Sequence, residues 1–422
     1  MNRKQLIILV ACAVLLGGAG LLLMNRDSAS FSGAGQALGD KLLGDFDYNE
    51  VASISIRDDA GEVTLRFEGD RWRVVERNNY PADFTKISSA LIKLKDLAIM
   101  QSEPIGTSQL GRMELLRPGE GTPSGTVVEM KNASGETVRE LILGKEHLRE
   151  SPAASPMGGG SWPDGRYVLL PSRPEQMALV GEPLSELEAN PQNWLNKEFF
   201  KIQSQNVKSI SMESPTNSWA LSRESSTNTW QLGSPQPDEE LDTTRVSSVV
   251  SPLGSPGFDD VVPESDPAET GLDEPVVVNV ETFDGFAYTL RIGALNDQEQ
   301  YPLAVEVTAD LPDARTAGED ESPEDKERLD KEFAEQQQTL KEKLEQEKRL
   351  ESWTYLVSKW TADPLLKPRK DLLKEKQEAE DAIPETTGDA ATDSGIDLVP
   401  ENIIPLPPMP EPPATHGNDL PE

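Results

Sequence analysis

Two histidines, one cysteine and a large excess of carboxylates bound the chemistry open to this chain. A mechanism that needs an imidazole would have to use His147, because His416 falls in an acidic, Pro-rich tail. His147 follows Leu143-Gly144-Lys145-Glu146 at the end of a predicted strand, where a solvent-exposed ring is expected. Gly159-Gly160-Ser161-Trp162-Pro163 begins like a nucleophile elbow but lacks its last glycine and sits in a loop. Asp259-Asp260 and Glu319-Asp320-Glu321 offer oxygen ligands, yet neither has the alternating oxygens and turn glycine of a calcium loop. A phosphate-binding glycine-lysine loop, a dinucleotide glycine fingerprint, an HExxH helix and a zinc cysteine pair are all missing from the sequence. No catalytic, cofactor-binding or metal-ligating residue is assigned, and no cofactor is expected.

The elements around these residues are more informative. Val51-Ala52-Ser53-Ile54-Ser55-Ile56 alternates as a half-buried strand does, Asp59-Ala60-Gly61 marks a hairpin turn, and Val63 to Phe67 resumes the alternation. Arg71 to Val75 reads as a third strand. Asp83 is a natural N-cap for a helix that places Ile87, Leu91, Leu94 and Leu97 on one face. About 155 residues later the pattern returns. Val207 to Met212 matches Val51 to Ile56, Leu221 matches Leu65, and Trp230 takes the place of Trp72. Asp242-Thr243-Thr244-Arg245-Val246-Ser247-Ser248 parallels Asp83-Phe84-Thr85-Lys86-Ile87-Ser88-Ser89. Val127-Val128 before Gly135 and Gly144 corresponds to Val277-Val278 before Gly285 and Gly293, and the strand at Tyr167 to Leu169 has its counterpart near Tyr301. Equivalent placement before equivalent helices assigns Trp72 and Trp230 to packing.

The predicted fold is α+β: two tandem copies of an antiparallel-sheet-plus-helix domain, residues 45–191 and 205–360. The copies differ by insertion. Leu148 to Asp164 is a predicted exposed Pro/Gly/Ser loop. A charged helix is predicted over residues 323–360, with Ser322 as N-cap and Pro323 at its first position. Its narrow stripe of Leu329, Phe333, Leu340, Leu344 and Leu350 suits a solvated helix, or an arm that meets a partner helix. Residues 377–422 read as a disordered acidic tail ending in a proline cluster that favours an extended conformation.

Leu6 to Met24 is an apolar run behind Arg3 and Lys4, about 28 Å as a helix at about 1.5 Å per residue, which matches a bilayer core. Residues 1–26 are read as a retained transmembrane anchor and residues 27–44 as a flexible linker. Cleavage after the Gly17 to Gly20 stretch is the alternative. A lipoprotein signal ending at Cys12 would leave only Leu6 to Ala11 as its apolar region, so Cys12 is read as a small apolar residue within the span. Arg3, Lys4 and the amino terminus outweigh Arg26, which Asp27 follows, so the N-terminus is expected in the cytoplasm and the body outside, at the inner (plasma) membrane of the cell. The formal net charge of -34, from 74 acidic against 40 basic side chains, excludes nucleic acid as a partner, since that affinity comes from Lys and Arg on phosphates. Hydrophobic residues at 36% are lean for 422 residues, so part of the chain is expected to stay unpacked.

The doubled Ser-Ile-Ser strand, the Trp72 and Trp230 strands, the Asp83 to Ser89 helix start and the single N-terminal span resemble those of the family catalogued as domain of unknown function 4340, over most of residues 45–360. The resemblance implies an anchored extracytoplasmic component that accompanies an ABC-type transport system similar to the one associated with gliding motility. The charged helix and the Pro-rich tail depart from the family's compact ending. The expected function is a non-enzymatic accessory or scaffold protein whose partners are subunits of a membrane complex. The alternatives are a cell-envelope hydrolase with paired carboxylates, which requires two facing carboxylates in a cleft with one raised pKa, and a carbohydrate- or peptide-binding envelope module, which requires an aromatic-lined groove.

Overall fold

The computed structural model describes residues 38–150, 161–263, 267–318 and 321–375. The predicted span Leu6 to Met24 and the tail 377–422 lie outside the described residues, as do Cys12, His416, Gly159, Gly160, Glu319 and Asp320. Among the described residues no helix is long and apolar enough to cross a membrane. The described residues from Leu38 to Lys374 cluster as one compact unit.

The first sheet is built from β1 (Val51–Arg57), β2 (Glu62–Glu68), β3 (Arg71–Val74), β4 (Tyr80–Pro81), β5 (Ile99–Pro104), β6 (Thr126–Asn132), β7 (Thr137–Glu150), β8 (Ser161–Leu169) and β9 (Gln176–Val180). Its spatial order is β4-β3-β2-β1-β6-β7-β8-β9-β5, antiparallel throughout. The period-2 alternation sends Ile54, Ile56, Val63 and Leu65 into the core. Helix α1 (Phe84–Asp96) carries the chain from the β4 edge to the β5 edge, which explains why β5 pairs with β9 and not with β4. Asp83 caps it, Oδ1 accepting from the amides of Thr85 at 2.9 Å and Lys86 at 3.1 Å, an arrangement worth about 0.5–2 kcal/mol. Ile87, Ala90, Leu91 and Leu94 form its buried face.

The second sheet has β10 (Val207–Glu213), β11 (Ser218–Ser222), β12 (Gln231–Leu232), β13 (Asp260–Val261), β14 (Val276–Thr282), β15 (Phe286–Ile292), β16 (Gln300–Ala309) and β17 (Thr354–Ser358), in the order β12-β11-β10-β14-β15-β16-β17-β13. Helix α2 (Thr243–Val250) crosses from the β12 edge to the β13 edge, and Asp242 caps it as Asp83 caps α1. Asp83 donates its amide to the carbonyl of Trp194 at 2.8 Å, and Asp242 to that of Leu372 at 2.9 Å. The β1–β6 register slips between Val51 and Ser53, and the β10–β14 register between Val207 and Ser209. Gly144 and Gly293 share a role as well. A Cβ would stand 2.5 Å from the Met113 carbonyl oxygen at the first and 2.1 Å from that of Thr270 at the second, because a connecting segment crosses close to the strand.

Three predicted boundaries require correction. The linker 27–44 is not free along its whole length: Leu42 and Leu43 are buried, and Arg139 holds the Leu43 carbonyl at 2.7 Å. The strands reach into the predicted loop Leu148 to Asp164, since β7 runs to Glu150 and β8 starts at Ser161. The charged helix does not span 323–360. After the one-turn helix α3 (Pro267–Thr270), helix α4 (Pro323–Lys348) gives way to a 3-10 turn over Arg349–Ser352 and then to β17. Thr354-Tyr355-Leu356-Val357 is β-branched and aromatic, and burial of Tyr355 and Val357 against β16 outweighs the helical character of the Glu/Lys-rich run before it. The β8–β9 connection is a short turn, whereas α4 lies within the β16–β17 connection.

The body also extends past Trp360. Ala362, Leu365 and Leu372 are buried, beyond a four-residue helix α5 (Lys359–Ala362) and a 3-10 turn at Arg369–Leu372. Leu241 and Leu373 form a β-bridge, the counterpart of Ala82 with Leu195.

Candidate functional site

The two sheets share one continuous hydrophobic core, and the seam between them supplies the most unusual chemistry of the described residues. Arg77, in the turn before β4, forms a bidentate pair with Asp260 on β13: Nε to Oδ1 at 2.6 Å and Nη2 to Oδ2 at 2.8 Å. Asp260 is 4% exposed. Gln192 adds a third bond to Oδ2 at 2.8 Å, and the amide of Val261 donates to Oδ1 at 2.8 Å. A carboxylate engaged by four donors has no lone pair to spare for a cation, so the oxygen-ligand reading of Asp259-Asp260 gives way to a structural one. Asp259 accepts from Gln300 at 2.9 Å. Among the described residues no group of three metal-type side chains converges.

Beside this pair an aromatic cluster joins the halves. Tyr80 of β4 meets Phe258, Trp353 and Tyr355 edge-on, with centroid separations of 5.8, 4.9 and 6.1 Å. Phe199, from the connector between the sheets, lies 4.7 Å from Tyr355 and 5.2 Å from Phe258. Burial pushes the Tyr80 phenol up to about 12, so it stays neutral and hydrogen-bonding at any ordinary pH. Lys197 sits 4.6 Å over the Phe258 ring and donates to the Asp259 carbonyl at 2.6 Å; burial pulls its ammonium below the usual lysine range.

Two adjoining clefts open along the seam. The larger, about 830 Å³, has Phe67, Trp72 and Phe84 on one side and Lys197, Glu198 and Arg349 on the other. The smaller, about 350 Å³, is bounded by Tyr80, Phe199 and Trp353 and by the end of α4, with Lys343, Glu347 and Arg349. Arg71, Asn196 and Glu198 belong to both. Phe84 is 65% exposed and Phe67 44%, so the aromatic wall faces solvent. The combination of exposed rings, paired cations and amides is suited to holding a ligand.

Glu347 is the perturbed acid of this region. It is buried, and its Oε2 accepts from the Tyr288 hydroxyl at 2.7 Å. Burial raises its pKa, opposed by that hydrogen bond and by the nearby Lys343. A carboxyl whose folded pKa lies above its unfolded value contributes stability below the ordinary carboxylate range and loses it as pH rises through the folded value. Glu347→Gln keeps an acceptor for Tyr288 and removes the buried charge. It is expected to raise the guanidinium midpoint at pH 8 and to leave it unchanged near pH 4; an unchanged midpoint at both would contradict this account.

His147 lies within β7, not at a strand end. Its Nδ1 is 2.6 Å from the Asp164 Oδ1 across the β7–β8 pair, and its ring meets Tyr167 edge-on at 6.2 Å. The ring is half-buried, and among the described residues no serine or cysteine is bonded to it. Ser161-Trp162-Pro163 forms the start of β8 and makes no elbow. Glu321 is bound by Arg315 at 2.5 and 2.6 Å and organises the turn before α4. Trp72 is buried as expected, while Trp230 is only half-buried beneath the Arg223 guanidinium at 4.6 Å. Arg77, Lys343, Glu347 and Arg349 were not singled out by sequence reasoning, since each sits in a polar run that carries no local signal.

No curated protein and no solved structure matches the chain. Residues 72–275, which include Arg77, Gln192 and Asp260 of the seam and the Trp72 and Phe84 rings of the larger cleft, match the family model described as a domain of unknown function (DUF4340).

Proposed function

We propose that the chain is a non-enzymatic accessory or scaffold protein of a membrane complex, held by Leu6 to Met24 with its N-terminus in the cytoplasm and its body outside. The two sheets are tandem copies of one unit, with the second copy carrying α4 as an insertion and running on to Lys374. The observation that carries the reading is the seam. Arg77, Asp260 and Gln192, with the Tyr80 to Tyr355 cluster, join the copies into one binding body whose clefts are composite. The resemblance to anchored components of ABC-type transport systems supplies the partner class.

Affinity purification of the full chain from crosslinked membranes is expected to recover transporter-type subunits, and Phe84→Ala with Arg349→Ala is expected to reduce that recovery. Recovery of the chain alone would overturn the reading. Protease added to intact spheroplasts is expected to digest the body; full protection would reverse the orientation.

A second reading, a carbohydrate- or peptide-binding envelope module, is favoured by one observation: Phe67, Trp72 and Phe84 line an open cleft, and aromatic faces flanked by polar groups suit sugars and extended peptides.

A further inference from the structure

A separate cavity of about 680 Å³ lies beside α5, its polar and aromatic lining made by Ser251, Ser255, Lys359, Trp360, Asp363 and Lys367, with Ser248 at its edge. Trp360 is 87% exposed, more than any other large apolar side chain among the described residues. Its indole adds almost nothing to the core and offers its face to the cavity. Trp72 and Trp230 differ from it. They occupy matching places, each two residues before the residue that pairs with Leu65 or Leu221. Trp360 comes three residues after Val357, and the corresponding place in the first sheet, three residues after Val180, holds Pro183.

The charges around it are unequal in their commitments. Lys359 faces Glu299 at 3.4 Å, and Asp363 accepts from the Tyr301 hydroxyl at 2.9 Å. Lys367 donates to the Ser248 hydroxyl at 3.0 Å, and among the described residues it makes no ion pair. Lys367 thus stands without an ion pair among the described residues, at the wall of a pocket whose own carboxylate, Asp363, is engaged by Tyr301. The Ser248 hydroxyl is committed to the Arg245 carbonyl and to Lys367, so an exposed indole face, an ammonium without an ion pair and the hydroxyls of Ser251 and Ser255 suit a ligand with an apolar ring face, an anionic group and hydroxyls.

We propose that this pocket binds a saccharide bearing a carboxylate, with a pyranose face on Trp360, the carboxylate on Lys367, and the sugar hydroxyls on Ser251 and Ser255. The site stands independently of the accessory role, since it lies apart from the seam clefts and shares no lining residue with them.

The test is calorimetric titration of the full chain in detergent with trimers of galacturonate, glucuronate and mannuronate, each against a neutral trimer of the same linkage. At least one uronate trimer is expected to bind, with its neutral counterpart weaker by about tenfold or more. Trp360→Ala and Lys367→Gln are each expected to weaken binding by about tenfold, with an unchanged far-ultraviolet spectrum and melting temperature. Failure of all three uronates to bind, equal affinity for a neutral trimer, or undiminished binding by both variants would overturn the proposal. None of these outcomes bears on recovery of transporter subunits from membranes.

Discussion

A chain cut after Trp360 is expected to lose the cooperative unfolding of its second sheet, whereas one cut after Glu375 keeps it. The segment between these points looks expendable by composition, but Leu365 and Leu372 are 3% and 0% exposed. Deleting a buried leucine costs about 2–5 kcal/mol, and whole domains are stable by only about 5–15 kcal/mol. Polar losses add to this. Trp219 donates its indole N–H to the Lys367 carbonyl at 2.8 Å, and Arg245 reaches the Leu373 carbonyl at 3.0 Å. Arg369 binds both oxygens of Glu239, at 3.1 and 2.6 Å, and the carbonyls of Gly233 and Ser234. Removing the segment opens the core beside α2 and leaves the buried Trp219 donor without its acceptor. Guanidinium titrations followed by tryptophan fluorescence will separate the two chains; superimposable curves would show that the terminal segment only decorates the sheet.

Asp260→Ala is expected to destabilise the body by about 3–5 kcal/mol, the range for breaking a buried ion pair from one side. The side chains of Arg77 and Asp260 are 17% and 6% exposed, so the guanidinium left behind has little water to turn to. Gln192 and the Val261 amide lose their acceptor at the same time. Replacing both charges, as Arg77→Met with Asp260→Leu, is expected to cost less than Asp260→Ala alone, because no charge is then stranded. Calorimetric melting of the three proteins decides the matter. If Asp260→Ala melts within a degree of the parent, the pair is not what joins the sheets.

Period-2 alternation at Val51 to Ile56 and Val207 to Met212, and the matched caps Asp83 and Asp242, made the central strands and crossing helices readable from residue order alone, because those signals are local. β17 was not readable in the same way. Thr354 to Ser358 follows a long Glu/Lys-rich run, and only the presence of β16 as a partner turns those residues into a strand. The terminal segment to Lys374 was hidden for a similar reason: Pro364, Pro368 and the surrounding lysines resemble a linker, while two leucines carry the burial. The seam had no sequence signature at all. Arg77 and Asp260 are separated by 183 residues, and nothing near Asp260 distinguishes an ion-pair acid from a cation ligand. The same limit applies to the candidate site. Phe67, Phe84, Glu347 and Arg349 come from distant parts of the chain, and only the fold brings them to one cleft.

The seam also sets a schedule for synthesis. Trp353, which covers Asn78 and Tyr80, follows Asn78 by 275 residues. At about 5–20 residues per second, that distance leaves the aromatic face of the newly made first sheet bare for about 14–55 s. Arg77 waits about two thirds as long, about 9–37 s, for Asp260. The nascent half therefore carries a bare aromatic face for most of the time that the rest of the chain takes to be made, and it is closed only when the last strand arrives.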